Sequence, residues 1–120
     1  MKSYTDIEQS RKLAEILPVE SADMWFANGV VVARDSVEEP DDIESESVVP
    51  CWSLAALLSV IPYNVSFNKA LYEFKLVKSR DHWECYHENF GTVSTNIFKA
   101  DNPIDACYET LLKLHELNLL

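Results

Sequence analysis

The segment Pro50-Cys51-Trp52-Ser53-Leu54-Ala55-Ala56-Leu57-Leu58-Ser59-Val60-Ile61-Pro62 is the longest apolar run in the chain, and a proline stands at each end. Proline is tolerated at the first helical position, where its missing N–H would be unpaired in any case. It cannot continue a helix, and it disfavours helical geometry in the residue before it. The spacing therefore predicts a helix that opens at Pro50 and closes at Ile61. Its apolar residues point in nearly every direction, with Ser53 and Ser59 as a narrow polar edge, so neighbours are expected on most sides. It is too short to span a bilayer, which takes about 20 apolar residues.

A chain of 120 residues suits one domain, residues 1–120, with enough length for a real core. Nearly half of the residues, 48%, are hydrophobic, which argues against overall disorder. No positively charged amino-terminal region precedes an apolar stretch, so the expected location is cytoplasmic. The three cysteines, Cys51, Cys85 and Cys107, lack C-x-x-C spacing and sit among apolar residues, which predicts free buried thiols. The formal net charge of −10 disfavours direct contact with nucleic acid phosphates and favours basic protein surfaces.

Thr5 and Glu8 fit a capping box, which predicts a first helix from about Thr5 to Leu17, stopped by Pro18. Asn28-Gly29 separates Met24–Ala27 from Val30–Ala33, the strongest short hairpin signal, because both turn residues must take positive φ. Few polar residues interrupt either arm, so this hairpin is expected either to be covered on both faces or to present one face as an interface. Residues 35–47 carry seven acids and no basic residue, and are expected to form a flexible, solvated acidic loop. An EF-hand is excluded there because no glycine occurs between Gly29 and Gly91.

Leu71–Lys78, His82–Glu88 and Thr92–Phe98 alternate or are rich in β-formers, with short connections, which predicts an antiparallel meander. Parity puts Tyr72, Phe74 and Leu76 on one face of the first strand, and Trp83, Cys85 and His87 on one face of the second. Asn102, Pro103 and Asp105 mark the start of a last helix, whose stripe runs through Ile104, Cys107, Tyr108, Leu111, Leu112 and Leu114. The expected class is α+β: three helices packed on an antiparallel sheet made of one hairpin plus a three-stranded meander.

Few constellations carry chemistry. Cys51, in the first turn of the expected central helix, is the candidate nucleophile, with His82 or His87 as its base. The plainer reading is a small apolar side chain where the helix enters the core. His82 and His87 differ by five positions and point to opposite faces of a strand, and Cys85 with His87 alone is short of a zinc site, so no metal is expected. Trp25, Trp52 and Trp83 are the candidate binding residues of an aromatic pocket, against an ordinary role in core and rim. There is no G-x-G-x-x-G, no phosphate loop and no H-E-x-x-H, and with two glycines the chain has little material for a phosphate cradle, so no cofactor is expected.

Three blocks carry a family resemblance: Thr5–Ser10 through Leu17-Pro18 with Glu20–Met24 after it; Pro50–Leu58; and Asn102–Cys107 with the leucine-rich end. Together they resemble a family of small proteins, without a known activity, of gut Bacteroides-type bacteria and their phages or mobile elements. The resemblance implies a cytoplasmic bacterial or phage setting and an accessory role, and it carries over no catalytic residue. The expected function is a non-enzymatic acidic module that binds another protein, with mimicry of nucleic acid and homodimerisation as two of its forms. Neither a membrane nor a nucleic acid is an expected partner. The alternative is a small-ligand binder or an enzyme using Cys51 with a histidine beside an aromatic pocket.

Overall fold

A computed structural model describes residues 1–33, 48–89, 92–93 and 97–120. The acidic segment 35–47, and with it the loop and calcium readings, lies outside the described residues. The class is α+β. Helix α1 (Ile7–Ala14) and a 3-10 turn (Val19–Ser21) precede β1 (Met24–Ala27), β2 (Val30–Ala33) and β3 (Val48–Cys51). Helix α2 (Leu54–Val60) follows, then β4 (Asn64–Phe67), β5 (Ala70–Lys78), β6 (Trp83–Asn89), β7 (Thr92–Val93), β8 (Phe98–Ala100) and α3 (Pro103–Glu116).

The strands form two antiparallel sheets rather than one. In the first, β1 is central, flanked by β2 and β3. In the second the order is β4-β5-β6-β7, and β8 also pairs with β6. The expected hairpin thus gains a third strand, and the expected meander gains β4 on its outer side. The predicted strand over Thr92–Phe98 is found as two short pieces along β6, and residues 94–96 between them are not described. Strand β4 escapes sequence reading because its turn to β5 has no glycine: Asn68 and Lys69 take φ of 50° and 65° themselves. The Asn28-Gly29 turn is as expected, with φ of 53° and 80°.

The apolar run behaves differently from its sequence reading. Pro50 and Cys51 do not open a helix; they end β3, where Pro50 pairs with Trp25 and Cys51 with Met24. Proline is acceptable there because β3 is an outer strand of its sheet, where a missing ladder donor costs little. The helix starts at Leu54 because the Ser53 hydroxyl caps it, accepting from the Ala56 N–H at 3.2 Å. It ends at Ile61, in extended geometry before Pro62. It is also not buried all round: Ala56 and Leu57 face the core, while Ala55, Leu58 and Ser59 are exposed.

Helix α1 starts one residue later than the T-x-x-E pattern suggests. Asp6 accepts from the Gln9 N–H at 2.8 Å, and the Gln9 side chain accepts from the Asp6 N–H at 3.1 Å, a reciprocal capping box. Thr5 is thereby freed for the interior. Helix α3 starts as expected, with the Asn102 side chain accepting from the Asp105 N–H at 2.9 Å and Pro103 in the first turn. Lys2 ties the two helix starts together, reaching Asp6 at 3.0 Å and Asp105 at 2.8 Å. Burial alone would raise the Asp105 carboxyl, but Lys2, Gln9 and Asn102 hold it below the usual range.

The core joins α1, α2, α3 and the second sheet through Leu13, Trp52, Leu57, Cys85, Ile104 and Leu111, all fully buried. Parity in the second sheet is as read from sequence. Phe74 sits opposite His87 and Leu76 opposite Cys85, on the face that α3 covers.

Candidate functional site

The two histidines and the cysteine of the expected catalytic set occupy three separate environments. Cys51 is fully buried. Its thiol donates to the Thr5 carbonyl at 3.4 Å and lies 3.8 Å from Thr5 Oγ1. Thr5 Oγ1 pairs with Ser10 Oγ at 2.7 Å and accepts the Trp52 N–H at 3.2 Å, while the Thr5 N–H donates to the Trp52 carbonyl at 2.9 Å. This buried hydroxyl cluster sews the amino-terminal segment onto the end of β3. Because Cys51 is in a strand, no helix dipole favours its thiolate, and burial pushes the thiol up.

His87 is 2% exposed, on β6. Its Nε2 lies 2.8 Å from the Pro62 carbonyl, an acceptor only, so Nε2 carries the proton and donates. Its ring meets Phe74 edge-on, with centroids 5.5 Å apart. Burial pushes its pKa below the ordinary 6.5. This histidine pins the exit of α2 to the second sheet. His82 lies just before β6, with Nε2 at 2.9 Å from Glu84 and Nδ1 at 2.8 Å from Asp81, and Glu84 and Asp81 raise its pKa. Among the described residues no hydrogen bond joins Cys51 to either histidine or to a carboxylate, so the nucleophile–base arrangement is not assembled.

Cys85 and Cys107 are also fully buried and free. Cys107, hydrogen-bonded to Cys85 and desolvated, has its thiol pushed up. Among the described residues no three His, Cys, Asp or Glu side chains form a metal-binding group.

The tryptophans are likewise dispersed. Trp52 is fully buried, with its indole N–H donating to Ser21 Oγ at 2.9 Å. Trp25 is 3% exposed, in the central strand of the first sheet. Trp83 is half-buried at the start of β6, with the Lys78 ammonium 6.0 Å from its ring. None of the three lines either groove described below.

The aromatic groove that the fold does build uses other residues. Phe26 of β1 and Val49 of β3 are direct cross-strand partners on one face of the first sheet. Helix α1 packs over β3 and brings Ile7 to that face. Tyr4 is held beside them by its bridge to Ser53, and its ring meets Phe26 edge-on, with centroids 6.2 Å apart at 80°. These four side chains and the Asn28-Gly29 turn line an open groove of about 480 Å³. Asp6 and Arg11 supply its charged lining. The Asp6 carboxylate is engaged by the helix cap and by Lys2, whereas no ion pair or hydrogen bond among the described residues engages the exposed Arg11. Sequence reading missed this groove because Tyr4, Phe26 and Val49 are far apart in the chain and β3 was not foreseen. A second groove, of about 570 Å³, lies between Leu17-Pro18, Val60 and the end of α3 at His115.

Comparisons with protein-family models, with curated proteins and with solved structures found no significant match. Among the described residues no helix is long and apolar enough to cross a membrane.

Proposed function

We propose that this chain is a non-enzymatic, acidic protein-interaction module that takes up an extended segment of a partner along the outer edge of β2. The observation that carries this reading is the condition of that edge. Strand β2 pairs with β1 alone, and no described residue pairs with its other side. Ala27 and Val30 flank a two-residue turn, so the ladder alternation directs the N–H and C=O groups of Val31 and Ala33 away from β1. The strand is uncharged and proline-free, and Val30 is 61% exposed. It lacks the lysines, prolines and bulges with which edges are usually blunted. Strand addition supplies main-chain hydrogen bonds for affinity and side-chain contacts for choice of partner.

Three further considerations support the reading. The thiols and His87 are spent on packing and structural hydrogen bonds. The charge of −10 favours a partner segment rich in Lys and Arg. The resemblance to small proteins of gut Bacteroides-type bacteria and their phages favours an accessory, cytoplasmic role.

Selection from a library of extended peptides tests the proposal, with binders compared on the wild type and Val31→Pro. Proline at position 31 removes an outward donor and leaves the β1–β2 ladder bonds intact. The expected binders are basic and rich in β-formers, and they lose at least about tenfold in affinity on Val31→Pro. Light scattering separates self-pairing from hetero-pairing: a dimer abolished by Val31→Pro assigns the edge to a second copy. Binders indifferent to Val31→Pro, or no saturable binder with a monomeric mass, would overturn the reading.

A further inference from the structure

The groove between α1 and the first sheet is independent of the β2 edge, and its chemistry is more specific. We infer that it binds a small monocarboxylate with an apolar body, an aryl-alkanoate or a medium-chain fatty acid, the body lying between Tyr4, Ile7, Phe26 and Val49 and the carboxylate meeting Arg11.

The volume comes first. About 480 Å³ lies within the range of roughly 300–1,000 Å³ typical of small-ligand clefts. Such clefts combine an apolar lining with a few polar groups that fix orientation. Here the lining is two aromatic and two β-branched side chains, and two of them are left partly in water. Tyr4 and Ile7 are each 37% exposed, although the Tyr4 ring meets Phe26 edge-on. A ligand covering them removes apolar surface from water without any rearrangement of the core.

Charge then selects the class. Among the described residues Arg11, Lys12, Lys69, Lys78, Arg80 and Lys99 make no ion pair, and of these Arg11 lines the groove. Lys2 is paired twice, with Asp6 and Asp105; Lys75 is near Glu73, and Lys113 is near Glu116. Arg11, in the groove lining, has no ion pair among the described residues and so is open to a ligand. The other charged lining residue, Asp6, is already held by the Gln9 N–H and by Lys2, so its negative charge is partly neutralised. A guanidinium presents paired donors that match a carboxylate in two parallel hydrogen bonds, a fit that ammonium groups lack. Arg11 lies one helical turn after Ile7, so a carboxylate at Arg11 continues from an apolar chain resting on Ile7. The net charge of −10 draws cations to the surface in general, so the preference for a carboxylate comes from Arg11 itself: a neutral head group cannot pair with the guanidinium, and a cationic one is repelled by it.

Three ligands with one body and different head groups provide the test: 4-phenylbutyrate, 4-phenylbutyramide and 4-phenylbutylamine, with decanoate as the alkyl counterpart. Binding is followed by calorimetry and by amide shifts in nitrogen-15 spectra of the full chain. The expected result is saturable binding of the two carboxylates, with shifts clustered at Tyr4, Ile7, Arg11 and Gly29. The amide should bind about tenfold more weakly, and the amine more weakly still. Arg11→Gln should abolish the preference for carboxylate over amide while retaining amide binding. Ile7→Ser, on the exposed side of α1, should weaken carboxylate and amide together, with circular dichroism showing the fold retained. Equal affinity for carboxylate and amide, preference unchanged in Arg11→Gln, shifts clustered elsewhere, or no saturation by any of the four would each overturn the inference. A preference for decanoate over 4-phenylbutyrate would assign the site to alkyl chains, and the reverse to aryl groups.

Discussion

The two halves of this molecule solve the same problem with different completeness. In the half built from α2, α3 and the second sheet, the helices cover one face of the sheet closely, and the exposed apolar side chains, Leu58, Tyr63, Leu71 and Val77, lie away from that seam. Helix α3 buries Ile104, Cys107, Leu111 and Leu114 against β6, β8 and α2, and its leucine-rich continuation folds back, with Leu119 packed on the core. In the half built from α1 and the first sheet, coverage is partial. One edge of the sheet is unpaired among the described residues, Val30 faces water, and α1 roofs the sheet loosely enough to leave a groove. The same types of side chain occur in both halves, so hydrophobicity does not separate them. Partnering does: α3 has fourteen residues and packs on β6, β8 and α2, whereas α1 has eight and lies chiefly over β3.

This contrast can be tested, first where it should be strongest. Leu111→Ala removes a fully buried side chain from the sealed half and should cost about 2–5 kcal/mol by urea unfolding. A cost under about 1 kcal/mol would mean that this core is as loosely built as the α1 side.

The histidines sharpen the comparison through pH. The folded pKa of His87 lies below 6.5 because burial disfavours its charged form. Its contribution to stability is therefore complete above pH 6.5 and is lost as pH falls through 6.5 towards the folded pKa. His82 has the opposite sign, since Glu84 and Asp81 raise its pKa: its stabilisation is present below 6.5 and lost as pH rises through the raised value. Imidazole proton NMR should place the His87 titration below 6.5 and the His82 titration above it, and urea midpoints should fall on acidification in the wild type but less steeply in His87→Gln. If His87 titrates above 6.5, the second sheet admits water at its centre and the sealed half is misassigned.

The smallest effect belongs to the open half. Val30→Ser changes a side chain that is 61% exposed and should alter stability by no more than about 0.5 kcal/mol. A loss above about 1 kcal/mol would show that Val30 is covered in solution, so that β2 does not present a free edge.

How much of this was legible follows the range of each interaction. The start of α3 could be read because a cap, a proline and an acid act on backbone groups three residues away. The Asn28-Gly29 turn and the faces of β5 and β6 could be read for the same reason: turn chemistry and strand parity are local. The run from Pro50 to Pro62 shows where locality stops. Pro50 satisfies the rule for a helix start, and Ser53 satisfies the rule for a helix cap. Only the pairing of β3 with β1, which takes Pro50 and Cys51 into a strand, decides between them. With that choice Cys51 passed from a helix terminus, where a dipole would have favoured thiolate, to a sealed position beside Thr5 and Ser10.

The sequence by itself determined an acidic α+β chain, the Asn28-Gly29 hairpin, the faces of β5 and β6, and a capped last helix with its buried stripe. Each of these is set by side chains acting within a few residues of one another. Tertiary structure decided the split into two sheets, the burial of Cys51, the anchoring of His87 on Pro62, and the meeting of Tyr4, Phe26 and Val49 beside Arg11. These depend on contacts between residues far apart in the chain, whose geometry is fixed only when strands pair and helices dock.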